Sequence, residues 1–120
     1  RLWSAQAAYE SFLNYCDNQR KKMLEKKDGR PAKYAAAYVR VLFNLCELLE
    51  RGTFSIRISE TPVGEAVARI KAGHFRPGEV IDIGEHWTEE AARRLRTCSQ
   101  QARPELADAF LLKVRKAFLR

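Results

Sequence analysis

Through most of this chain apolar residues recur every three to four positions, the spacing of one face of an α-helix. Ala5, Ala8, Phe12, Tyr15 and Cys16 share such a face. Ser4 stands where it can cap the start, and Asp28-Gly29 supplies a stop, so the pattern predicts a first helix to about Lys27. Pro31 suits the first turn of a second helix, which Gly52 ends after Glu50-Arg51. Thr53 to Ser59, TFSIRIS, alternates and is rich in β-branched residues, so it is extended, as a short strand or a packed loop. No second strand is visible to pair with it. Thr61 as cap and Pro62 in the first turn open a third helix ending at Gly73, with Val63, Ala66, Val67 and Ile70 on its apolar side. Pro77-Gly78 starts a fourth, running to the glutamines at 100 and 101, with Val80, Ile81, Ile83, Trp87, Ala91, Leu95 and Cys98 inward. Gly84 is expected to bend it, at about 1 kcal/mol relative to Ala. A last helix follows Pro104, with Leu106, Ala109, Phe110, Leu112, Val114, Ala117 and Phe118 packing inward. The fold class is all-α: about five helices in a compact bundle, forming one domain, with a single extended segment near residues 53–59.

The second helix, KYAAAYVRVLFNLCELLE from Lys33 to Glu50, is the most informative stretch. It is apolar almost all the way round, yet Lys33, Arg40, Asn44 and Glu47 lie along one line, with Ala37 in the remaining place. A charge carried by so apolar a rod must be paired or must face a cleft, because burying it alone costs several kcal/mol. One reading makes the helix the wall of a site. Lys33 and Arg40 then reach a phosphate, the guanidinium as a bidentate fork and the ammonium as a point charge, with Asn44 one turn away. The competing reading is an internal pair, Arg40 with Glu47 or another carboxylate, that ties helices together.

Charge adds a second candidate. The net charge is +7. Most of it lies between Arg20 and Lys33, where Arg20, Lys21, Lys22, Lys26, Lys27, Arg30 and Lys33 face only Glu25 and Asp28, for +5 in 14 residues. Such a cluster attracts phosphate, so Arg20, Lys21, Lys22, Lys26, Lys27 and Arg30 are candidates for nucleic-acid contact. A solvated helix end, where cations favour the dipole, explains it equally well.

With 46% apolar and 31% charged residues the chain is globular, not disordered. No apolar run reaches the ~18 residues of a membrane-spanning helix, so no membrane association is expected. Cys16, Cys46 and Cys98 form no CxxC pair, which suggests neither zinc nor a disulfide framework. Cys16 and Cys46 sit among apolar residues and read as buried thiols, and three unpaired thiols fit a reducing cytoplasm. A start at Arg1, without Met and helical by residue 4, reads as the C-terminal fragment of a longer protein.

Catalytic patterns are missing. There is no glycine-rich phosphate loop after a strand and no closely spaced aspartate pair for two metals. Two histidines, His74 and His86, permit no Ser-His-Asp arrangement. His86 with Glu89 and Glu90 offers two or three ligands and no fourth, which is better read as a solvent-facing imidazole. Arg69 and His74 match a loose Arg-x4-His spacing that chance often supplies. No catalytic and no metal-binding residue is assigned.

From Phe12 to Gly52, and more loosely to about residue 90, the chain resembles the C-terminal helical part of a family of predicted nucleotidyltransferases of the DNA polymerase β superfamily, found in bacteria and phages. Tyr15 to Lys22, YCDNQRKK, stands for a helix reading Y-x-x-x-Q-x-x-K, with Gln19 in the glutamine place. Lys33 to Leu42 aligns without a gap on K-H-A-Y-H-x-I-R-L-L, followed by Glu47-Leu48-Leu49 and Gly52. FSIRI, then ARIKAG at Ala68 to Gly73, then GEVIDI at Gly78 to Ile83 keep the family's order. Both family histidines are replaced, by Tyr34 and Ala37, so no imidazole role carries over.

The family's catalytic half, with G-S-x-x-x-G and paired acids, is not in this chain. The resemblance therefore implies an accessory domain lining the nucleotide or nucleic-acid cleft, with Lys33, Arg40 and Asn44 toward phosphates. Its partners are then an upstream catalytic domain, a nucleotide, and RNA or DNA. Mg2+ and a nucleoside triphosphate belong to that upstream domain, where metal-bound carboxylates direct a hydroxyl onto an α-phosphate. The alternatives are a non-catalytic RNA- or DNA-binding helical module and a structural interaction domain.

Overall fold

A computed structural model describes residues 4–98 of the chain. They fold as four α-helices: α1 (Ala5–Leu24), α2 (Pro31–Arg51), α3 (Gly64–Lys71) and α4 (Pro77–Thr97). Short 3-10 turns at Lys27–Gly29 and Ile58–Glu60 complete the regular structure, and no strand occurs among the described residues. The all-α expectation holds. The helix expected after Pro104 lies outside the described residues, as do the glutamines at which the fourth helix was expected to end.

α2 is the central rod. It packs against α1, α3 and α4, and residues 34–39 and 41–49 are all buried. Leu42, Leu45 and Val39 are wholly enclosed, and each such aliphatic side chain contributes about 1.5–3 kcal/mol of transfer free energy. The ends follow the sequence signals. Pro31 occupies the first turn, and Gly52 takes the left-handed conformation at φ 75°, its N–H donating to the Leu48 carbonyl. Ser4 caps α1 as expected, its Oγ accepting from the Ala7 N–H at 2.9 Å.

Four local expectations are corrected. α1 stops at Leu24, not Lys27, because Lys26 turns into the left-handed region at φ 52° and cannot continue the helix. Of the two readings of the 53–59 segment the strand falls and the packed loop stands, since side chains of α2 hold its middle and its last residues wind into a 3-10 turn. α3 starts at Gly64, two residues late, with Val63 and not Thr61 at its cap. Thr61 is extended, and its hydroxyl donates to the Ile58 carbonyl at 2.6 Å, closing the 3-10 turn. Gly64 is needed there, because an added Cβ would lie 2.6 Å from the Ser59 carbonyl oxygen.

The fourth correction concerns Gly84. α4 runs through it without interruption. Its bare backbone instead lies against the buried Tyr38 ring, where an added Cβ would come within 2.1–2.2 Å of ring and hydroxyl atoms. Beside it Trp87 meets Phe43 edge to face at 5.0 Å.

Cys16 and Cys46 are buried, as their setting in the sequence implied. The Cys46 Sγ donates to the Trp87 carbonyl at 3.3 Å. Burial raises both thiols well above their ordinary value, with Cys46 pushed up to about 12 from 9.0. A raised pKa means that the folded state favours the neutral thiol. The stability this contributes is whole below pH 9.0 and is lost as pH climbs toward about 12. At about pH 8 a thiol reagent is expected to leave Cys16 and Cys46 unmodified in the native protein and to label both in denaturant. Native-state labelling of either at the denatured rate would contradict this.

Candidate nucleic-acid interface

The basic residues gather at one end of the α1–α2 hairpin. Lys21 and Lys22 stand in the last turn of α1, Lys26 and Lys27 in the connecting turn, Arg30 at the cap of α2 and Lys33 in its first turns. The connection is tight because Lys26, Asp28 and Gly29 all have positive φ (52°, 57° and 64°). Glycine and aspartate accept that conformation readily, whereas a lysine there is uncommon. The charges are thus crowded onto one short, strained turn.

Tyr34 organises this tip from beneath. It is 4% exposed, and its hydroxyl donates to Asp28 Oδ2 at 3.0 Å. Burial and that hydrogen bond raise the hydroxyl above its ordinary value. The Lys22 and Lys33 ammoniums lie 5.7 and 5.5 Å from the Tyr34 ring centroid, within cation–π range. Among the described residues, no carboxylate lies within 4.0 Å of Lys21, Lys22, Lys26, Lys27 or Arg30. Arg20 differs. It pairs with Glu85 of α4 at 3.8 Å and neighbours Tyr38, so it helps to dock α4. Along α1 below the tip an open groove of ≈ 440 Å³ is lined by Asp17, Arg20, Lys21, Leu24 and Glu25. Its mixed signs make it a poorer anion site than the tip.

The polar line on α2 divides into two parts. Lys33 belongs to the tip. Arg40, Asn44 and Glu47 face the 52–57 segment. Asn44 is 0% exposed and Glu47 2%. Glu47 Oε1 accepts from Asn44 Nδ2 at 2.7 Å and from the Ser55 N–H at 2.9 Å. Its Oε2 accepts from Arg51 Nη2 at 2.8 Å and from the Ser55 hydroxyl. Asn44 Nδ2 also approaches the Ser55 carbonyl at 3.4 Å, and Arg40 Nη2 the Ile56 carbonyl at 3.5 Å.

Asn44 therefore holds a loop and does not present itself to a ligand, which corrects its assignment as a phosphate contact. An Arg40–Glu47 pair is not formed either. Glu47 takes Arg51, four residues along the same helix, and Arg40 stays half-buried, its guanidinium lowered from the ordinary value by burial. Arg51 at i+4 was a sequence signal for this pair. Ser55 carried none, because only the chain reversal after Gly52 brings it back over α2.

The remaining candidates lie apart. Gln19 is buried at 1%. His86 is exposed with its ring edge-on to Trp87 at 4.9 Å, while Glu90 is held by Arg93 and Arg94. No cluster of three or more His, Cys, Asp or Glu suited to a metal occurs among the described residues. Arg69 pairs with Glu79 at 3.4 Å. No helix among the described residues is long and apolar enough to cross a membrane. Comparison of the chain with protein-family models, with curated proteins and with solved structures finds no match.

Proposed function

We propose that this chain is a helical nucleic-acid-binding module whose contact surface is the basic α1–α2 tip. The observation that carries the reading is the set of five cations, Lys21, Lys22, Lys26, Lys27 and Arg30, at one end of the α1–α2 hairpin with no carboxylate within 4.0 Å among the described residues. Like charges crowded this closely repel one another, so the arrangement costs stability unless a polyanion neutralises it. Among the described residues the two acids of this stretch, Glu25 and Asp28, form no ion pair with any of the five, whereas on α4 Glu90 pairs with both Arg93 and Arg94.

The test is a salt titration of binding to a labelled single strand. Log K is expected to fall linearly with log salt, by about 0.7 per phosphate neutralised. Lys21→Ala, Lys27→Ala and Arg30→Ala are each expected to weaken binding and to reduce that slope by about 0.7. Binding that is indifferent to salt, or unchanged in all three variants, would refute the reading.

The resemblance to nucleotidyltransferases supports a more specific role, in which the module lines the cleft of an upstream catalytic domain that supplies the Mg2+ and nucleoside triphosphate chemistry. One structural observation favours keeping Lys33 and Arg40 in that role. Both are half-buried and neither is sealed in the bundle. In a protein carrying the upstream domain, a nucleoside triphosphate is expected to raise the melting temperature of the wild type but not of Arg40→Ala. Arg40→Ala itself should fold, since Arg40 is only half-buried and its contact to the Ile56 carbonyl is long. An unfolded Arg40→Ala would assign Arg40 to scaffolding alone.

A further inference from the structure

We infer that the tip recognises the phosphodiester chain of its nucleic acid and is blind to the bases. This rests on the nucleic-acid reading above and narrows it. Reading a base needs either an open aromatic face for stacking or a side chain held rigidly enough to meet a base edge. The tip provides neither.

Residues 20–33, RKKMLEKKDGRPAK, include no aromatic residue. The adjoining ring, Tyr34, is closed off, since it is buried, its hydroxyl is held by Asp28, and the Lys22 and Lys33 ammoniums flank it. Tyr34 thus acts on the cations and not on the ligand. Asp28, the turn's one other fixed polar side chain, has its Oδ2 held by Tyr34. Arg30 is the residue able to fork onto a guanine edge, but no side-chain hydrogen bond or ion pair orients it. Lys21, Lys26, Lys27 and Arg30, which no side-chain hydrogen bond or ion pair orients among the described residues, respond to charge density alone on a turn without aromatics. The ligand class is therefore any phosphodiester chain, whatever its sequence, and inorganic polyphosphate should compete for the same surface.

The experiment is fluorescence anisotropy with the 120-residue chain and labelled uracil, adenine and mixed-sequence strands of about 20 nucleotides at low salt. The affinities are expected to agree within about threefold, inorganic polyphosphate to displace every strand, and Lys27→Ala/Arg30→Ala to weaken all of them by a common factor. A preference of about tenfold or more for one composition would overturn the inference and leave nucleic-acid binding standing. So would a strand that polyphosphate cannot displace, or a double variant that weakens one strand selectively. Failure of every strand to bind, or binding that the double variant leaves untouched, would overturn the tip as the interface and this inference with it.

Discussion

Glu47→Ala is expected to destabilise the protein by about 3–5 kcal/mol, a large share of the 5–15 kcal/mol that holds a domain of this size. The reason lies in what the carboxylate satisfies. Four donors from three residues, Asn44 Nδ2, Arg51 Nη2 and both the N–H and the hydroxyl of Ser55, converge on its two oxygens inside the bundle. Removing it leaves the Asn44 amide and the Ser55 N–H beside a cavity, and each unsatisfied buried donor costs about 1–3 kcal/mol. Ser55→Ala removes one hydroxyl contact and should cost only about 1 kcal/mol. Urea unfolding of the two variants checks the ranking. A Glu47→Ala loss below about 1 kcal/mol would show that the network is ornamental.

The same variants separate scaffold from interface. Lys33 and Glu47 are 14 residues apart on α2, roughly 21 Å at 1.5 Å per residue. Glu47→Gln, which keeps the shape and one acceptor oxygen, should therefore unfold at lower denaturant yet bind a nucleic-acid strand with wild-type affinity and salt slope. The tip variants should show the converse.

Gly84→Ala is expected to lower stability by about 2 kcal/mol, with a melting temperature roughly 5–10 °C lower. The sign is what makes this diagnostic. On helix propensity alone, Ala in place of Gly in the middle of α4 would stabilise by about 1 kcal/mol. Against that stands a Cβ placed 2.1 Å from the ring of Tyr38, a side chain only 2% exposed and wedged between helices. Overpacking of this kind costs about 1–3 kcal/mol or more, and it outweighs the propensity gain. In Tyr38→Leu the penalty should shrink, so the double variant should be less destabilised than the sum of the singles. A stabilised Gly84→Ala would mean that α4 does not sit as close to α2 as described.

These two sites show where local pattern stops being informative. Helical spacing carried the all-α class, Ser4 and Pro31 marked two helix starts, and Gly52 marked the end of α2, because each is a local steric or hydrogen-bonding rule. The basic tip was legible for the same reason, since its cations are near neighbours in the chain. Lys26 was not legible as a helix stop, because nothing local predicts a lysine at positive φ.

Sequence by itself determined that α2 is a buried rod with one polar line and that the positive charge is concentrated between residues 20 and 33. Only the tertiary structure decided what that line does. It divided Lys33 from Asn44 and Glu47, gave Glu47 to Ser55 instead of Arg40, and turned Gly84 from an expected bend into a seat for Tyr38. The physical reason is common to all three. Hydrogen-bond partners and close packing are set by which atoms meet after the chain folds back on itself, and a partner eight or forty-six residues away leaves no periodic trace.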